Sequence, residues 1–190
     1  MTGFWILLAV IVVLGFLLVG IYNRLVALRQ RTNQAFGDID VQLKQRHDLV
    51  PNLVETVKGY AAHEKTTLDA VIQARNGAVS AERSGDPKAM GAAEGALGAA
   101  LGRLFALAEA YPDLKANTNF QQLQTELSDL EDKISAARRF FNNAVQEYNT
   151  AREQFPAVIF AGMFGFGPRE FFDLGEDRAT VEQAPKVSFS

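Results

Sequence analysis

The chain has 190 residues, with 19 Lys and Arg set against 22 Asp and Glu for a net charge of -3. Charges of both signs are mixed along it, and without a basic stripe or an acidic tail nucleic acid is not an expected partner. Cysteine is absent, which excludes a disulfide framework, a thiol nucleophile and a zinc-thiolate site.

Residues 4–22 read FWILLAVIVVLGFLLVGIY, without a charged or strongly polar side chain. A helix rises about 1.5 Å per residue, so the run spans roughly 28 Å, close to the hydrocarbon thickness of a bilayer. A cleaved signal peptide would carry a positive n-region, a shorter apolar core and a small-residue cleavage site. Only Met1, Thr2 and Gly3 precede this run, and YNRLVALRQ after it lacks a small-x-small pair. A core helix of this length would show a polar face. The run therefore predicts one uncleaved membrane anchor over residues 1–23, with the lipid bilayer as its partner. Trp5 and Tyr22 lie near its two ends, where amphipathic rings favour the interface. No Lys or Arg precedes the anchor, whereas Arg24, Arg29 and Arg31 follow it. Basic residues near a span stay on the cytoplasmic side, which predicts a cytoplasmic C-terminal domain, a periplasmic one being the alternative.

Roughly 165 residues remain, enough for one domain with its own core. Leu25, Leu28, Thr32, Phe36, Ile39, Leu43, Arg46, Val50, Leu53, Val57, Tyr60, Glu64, Leu68, Val71 and Arg75 follow one another in steps of three or four. That spacing traces one stripe down a helix. Pro51 falls inside it, where the ring removes a backbone hydrogen bond and costs about 3 kcal/mol. The apolar phase crosses Pro51 without a slip, which predicts one long kinked helix; a new helix starting at Pro51 is the alternative. Ser84-Gly85-Asp86-Pro87 has loop chemistry, with Asp86 placed as N-cap of a second helix over residues 87–110. Gly91, Gly95, Gly98 and Gly102 give that helix a small face on which a backbone can approach closely. Glu94, Arg103 and Glu109 exclude it as a second span, and Tyr111-Pro112-Asp113 ends it.

A third helix is predicted over residues 119–154, where Phe120, Leu123, Leu127, Leu130, Ile134, Arg138, Phe141, Val145, Tyr148 and Arg152 repeat the stripe. The expected fold is all-α: a single N-terminal transmembrane helix continuing into an elongated antiparallel helical bundle, coiled-coil-like in its stripes, over residues 24–155. Residues 156–190 form an aromatic, Gly-rich segment followed by a polar tail whose composition is that of disorder.

Chemistry is sparse. His47 and His63 are the two histidines. His63-Glu64-Lys65-Thr66-Thr67 lacks the second His of the zinc motif, and neither His has a Glu three residues before it as a di-iron bundle needs. Surface or helix-packing histidines are expected. No phosphate loop and no Ser-His-Asp set can be assembled, so no catalytic, cofactor-binding or metal-binding residue and no cofactor is expected, and the protein reads as not an enzyme. Charged residues within the apolar stripes stand out: Arg46, Glu64, Arg75, Glu131, Arg138 and Arg152. They are either paired in a buried network that fixes register, or long side chains that reach the rim. Phe155, Phe160, Phe164, Phe166, Phe171 and Phe172 crowd one segment. Closing the end of the core is the favoured reading; an exposed patch for a second subunit or the membrane interface is the other.

Tyr22-Asn23 followed by LVALR, IDVQLKQRHDLVPNLVETVKGYAAHE over residues 39–64, EAYPDLKANTNFQQLQTEL over 109–127 and ARRFFNNAVQEYN over 137–149 together resemble the LemA family of bacterial membrane proteins along nearly the whole chain. The Phe155-Pro156 exit and Phe171-Phe172 fit as well; Phe140-Phe141 departs, where the family often has Tyr-Asn. The resemblance implies an N-terminal anchor and a helical bundle, and it supplies no established reaction; the expected location is the bacterial inner membrane. Some members are associated with shaping specialised membranes. The expected function is a non-enzymatic single-pass scaffold that self-associates as a homo-oligomer, with the second helix and the aromatic segment as contact surfaces. The alternative is an adaptor or regulator of another membrane protein, such as a protease or transporter.

Overall fold

The computed structural model describes residues 2–173, and the polar tail lies outside the described residues. Every regular element among them is a helix. The chain divides into two compact units, one formed by the residues up to Gly37 with Arg139–Arg169, the other by Asp38–Arg138 with the described residues from Glu170.

Helix α1, Thr2–Lys58, is unbroken and carries the apolar run at its start. It is long and apolar enough to cross a membrane, and the side chains of that run are exposed apart from the half-buried Leu18 and Ile21. Burial begins at Leu25 and recurs at Leu28, Thr32, Ala35, Ile39, Leu43, Val50, Leu53 and Val57, the helical spacing that the stripe predicts. The Thr32 hydroxyl donates to the Arg29 carbonyl at 2.7 Å, so this polar group is satisfied within its own helix. Pro51 sits inside α1 on its exposed side, and the helix continues through it.

The expected continuation to Arg75 is corrected by the structure. Helix α1 ends at Lys58, and α2, Lys65–Ser84, is a separate element. At the break the Tyr60 and Ala61 amides both donate to the Val57 carbonyl, which tightens the last turn. Gly59, the poorest helix former there apart from proline, sits at this end. Val57, Ala61 and Leu68 all remain buried across the turn, so the apolar spacing survives although the helix does not.

Gly85 closes α2 in the left-handed region at φ 66°, which a residue without Cβ enters freely. Asp86 then accepts from the Lys88 amide at 3.0 Å and caps α3, Pro87–Ala108, with Pro87 in its first turn as predicted. Helices α2 and α3 pack on each other as a hairpin. The short α4, Pro112–Lys115, buries Leu114. Asn117 accepts from the Phe120 amide at 3.0 Å at the start of α5, Thr118–Glu153. The core of this second unit joins Val50 and Leu53 of α1, Val71 of α2, Leu97 and Leu104 of α3, and Phe120 and Leu127 of α5.

In the first unit Leu25 and Leu28 of α1 meet Tyr148 and Ala151 of α5, Ala157 and Ala161 of α6 (Ala157–Ala161) and Phe166. The Tyr148 hydroxyl donates to the Gly167 carbonyl at 2.9 Å, and Asn149 exchanges two hydrogen bonds with the Arg169 backbone, each 2.9 Å. Arg169 donates on to Asn33 at 2.8 Å, and Arg31 pairs with Glu147 at 2.7 Å. These bonds lay the chain after α6 along α1 and α5.

Candidate functional site

Four helices of the second unit converge on one cluster of ionisable side chains. Arg46 and His47 come from α1, Arg75 and Glu82 from α2, Glu94 from α3 and Glu131 from α5. Arg46 and Glu94 are each 3% exposed at the side chain, so Arg46 does not reach the rim. Its guanidinium forks between the Glu94 and Glu131 carboxylates and also donates to the Glu94 carbonyl at 3.2 Å. The planar fork of five donors suits two carboxylates held on different helices. His47 is flanked by Glu94 at 2.6 Å on Nε2 and Glu82 at 3.1 Å on Nδ1. Both ring nitrogens thus face carboxylates. Burial pushes the Glu94 carboxyl up, but the His47 hydrogen bond and the charges of Arg46 and His47 outweigh it and hold the group below its usual range.

Arg75 plays a different part. Within α1 the His47 carbonyl would accept from the amide of residue 51, and Pro51 has none. The Arg75 Nε donates to that carbonyl at 2.7 Å. A half-buried side chain of α2 thus replaces the hydrogen bond that the proline removes. Leaving a buried carbonyl without a partner costs about 1–3 kcal/mol, which explains why the helix passes through Pro51 intact.

The remaining charged stripe residues are dispersed. Glu64 accepts from the Tyr111 hydroxyl at 3.0 Å and pushes that phenol up. Arg138 is half-buried, and Arg152 pairs with its neighbour Glu153 at 3.0 Å. His63 is exposed in the turn after α1, whereas His47 belongs to the network. Sequence reasoning named Arg46, Arg75 and Glu131 but missed Glu82 and Glu94. The signal for Glu94 was present: Met90, Glu94, Leu97, Leu101 and Leu104 share one buried stripe of α3. Glu82 stands at the edge, more exposed than its partner His47, and carries no such signal.

Gly91 of α3 is a glycine at which another backbone approaches closely. A Cβ there would meet the backbone of Asp173, whereas one at Gly98 or Gly102 would stand in open space. The Phe-rich segment divides: Phe166 and Phe172 are buried, while Phe155, Phe164 and Phe171 are exposed.

The profile of the LemA family matches residues 35–189, which includes all the network residues. This chain belongs to the LemA family. Among curated LemA-related sequences, it is 28% identical over 174 residues to the magnetosome protein MamQ of Magnetospirillum gryphiswaldense, an alignment covering 80% of this chain and 64% of that protein. It is 27% identical to the magnetosome protein MamQ 2 of Paramagnetospirillum magneticum, with the same coverage. It is 28% identical over 152 residues to Protein LemA of Metamycoplasma hominis, covering 77% of this chain and 68% of that one. The alignment thus spans less than two thirds of the magnetosome relatives' length.

Within the network both Glu94 oxygens are engaged, one by Arg46 and one by His47. The network's geometry suits cross-linking four helices in one register, because Arg46 and His47 on α1 meet partners on α2, α3 and α5 at a single level.

Proposed function

We propose that this LemA-family protein is a non-enzymatic, single-pass membrane scaffold whose helical bundle self-associates and organises the membrane around it. The observation that carries this reading is α1: one unbroken helix holds both an exposed apolar run of bilayer length and the residues of a packed core. A hinge between them would suit a tethered enzyme; continuous helix suits a support. Two relatives bear the magnetosome name, and the family resemblance extends to members associated with shaping specialised membranes, which favours a role at membranes here. The outer face of α3 supplies the contact surface, since Ala92, Ala96, Ala99 and Ala106 are exposed there in helical spacing around Arg103. Confinement by the anchor raises the local concentration, so weak lateral contacts can close into a symmetric assembly.

The protein solubilised in mild detergent is expected to run as a large homo-oligomer, and Ala99→Cys, in a chain without other cysteines, is expected to crosslink in native membranes. Monomers in both measurements would replace this reading with that of an adaptor for another membrane protein. Arg24, Arg29 and Arg31 after the span support a domain on the cytoplasmic side of the bacterial inner membrane. A reporter active only outside the cytoplasm, fused after Ser190, is expected to stay silent; activity would put the domain in the periplasm.

A further inference from the structure

Residues 155–168 read FPAVIFAGMFGFGP, without one charged or polar side chain. Within this stretch the packing is inverted relative to a water-facing element. The small residues Ala157 and Ala161 are turned inward, 7% and 1% exposed, onto Leu25 and Leu28. Five large ones point out: Phe155 and Met163 are each 80% exposed, with Val158, Ile159 and Phe164 about half exposed or more, while Phe160 is half-buried and Phe166 is buried beside the alanines. Water would favour the opposite arrangement, because burying each large apolar side chain is worth about 1.5–3 kcal/mol. A monomer in water rarely keeps such side chains together on its surface.

The position of the patch names its solvent. Tyr22 closes the apolar run of α1, and its ring lies edge-on to Phe164 at 5.5 Å and to Phe166 at 5.4 Å. Ile21, in the last turn of that run, packs on the same cluster as Ala157 and Ala161. The exposed side chains therefore stand level with the end of the membrane-length run, where a bilayer passes from acyl chain to headgroup. Arg24, exposed two residues further on, falls at headgroup level.

We propose that residues 155–164 form a second, interfacial membrane contact: α6 lies against the base of the α1 anchor and inserts Phe155, Val158, Ile159, Met163 and Phe164 into the lipid surface. The insertion reaches about 5–10 Å, as for amphipathic interfacial helices. Two attachments on one leaflet, the span and this patch, fix the tilt of α1 where a lone span would leave it free. The inference rests on the reading of residues 4–22 as a membrane span and does not depend on self-association.

Trp5 is the only tryptophan, so Trp5→Phe gives a silent background. In that full-length chain Phe155→Trp, Ile159→Trp and Phe164→Trp are made singly. Val12→Trp, within the span, and Phe140→Trp, about 20 Å back along α5, serve as references. Each variant is reconstituted in phosphatidylcholine–phosphatidylglycerol vesicles with and without brominated acyl chains. The three patch variants are expected to lose more than half their emission to brominated lipid, as Val12→Trp does, while Phe140→Trp keeps its own. Quenching of Val12→Trp without quenching at the patch overturns the proposal: acrylamide access would then show a patch facing water, and shielding from both quenchers a patch covered by a second copy. Loss of quenching at Val12→Trp as well would overturn the span itself.

Discussion

The second unit and the end of the first unit handle apolar and charged groups in opposite ways. Around Val50, Leu97 and Leu127 the large side chains are inside, and even charged ones are buried once they are paired. Around α6 the alanines are inside with Phe166, and Phe155, Val158, Ile159, Met163 and Phe164 are out. The same backbone geometry serves both, so the difference lies in the medium. A buried surface tells where water is excluded, whereas an inverted one tells that something other than water is expected outside.

The contrast is sharpest for an introduced charge. Leu127→Asp puts a carboxylate into the core of the second unit and is expected to unfold it, at a cost of about 4 kcal/mol or more, seen as lost cooperative melting by circular dichroism. A preserved melting temperature would show that this face of α5 is not core. Next in size is Glu94→Ala, which leaves Arg46 with Glu131 alone in a buried setting. About 3–5 kcal/mol of unfolding free energy should be lost in urea titration. The same carboxylate sets a pH dependence. Its folded pKa is lowered, so its contribution is fully present above the unfolded value of about 4.3 and is lost as pH falls through the folded value. Glu94→Gln should therefore flatten the acid limb of the stability profile; an unchanged acid limb would remove Glu94 from the network's energetics.

Arg75→Met comes third, at about 1–3 kcal/mol, because it strips the His47 carbonyl of its donor. Adding Pro51→Ala restores a backbone amide at that place, and the pair should recover most of the loss in a double-mutant cycle. Additive costs would mean that Arg75 acts through something else. The smallest effect is expected at the inverted surface. Ile159→Asp in detergent micelles should change unfolding by no more than about 1 kcal/mol, since it replaces an exposed group at an interface. A loss as large as that of Leu127→Asp would turn the patch into core and end the contrast.

Much of this architecture was legible in the residues. The stripes of α1 and α5, the Asp86-Pro87 start of α3 and the apolar run were read from spacing and capping chemistry, which act over a few residues. The turn between α1 and α2 was not, because Val57, Ala61, Glu64 and Leu68 keep helical spacing whether or not the backbone between them is a helix. Periodicity reports which side is buried, not whether the hydrogen bonds continue. The ion network was half legible for a related reason. A charge within an apolar stripe announces that a partner exists, and Glu94 could have been found by that rule. Glu82 depends on where α2 lies after the turn at Gly59, and no local pattern encodes that.

Proline at 51 and arginine at 75 are also linked in a way that their separation in sequence conceals. A lineage that exchanges the proline for a residue with an amide hydrogen no longer needs a donor on α2 to reach across to His47, and position 75 becomes free to drift. A lineage that keeps the proline is held to arginine, or to another side chain able to donate at that depth. Across LemA-family sequences the two positions should therefore change together, and the order of change should be proline first, because losing the arginine while the proline remains passes through the less stable intermediate.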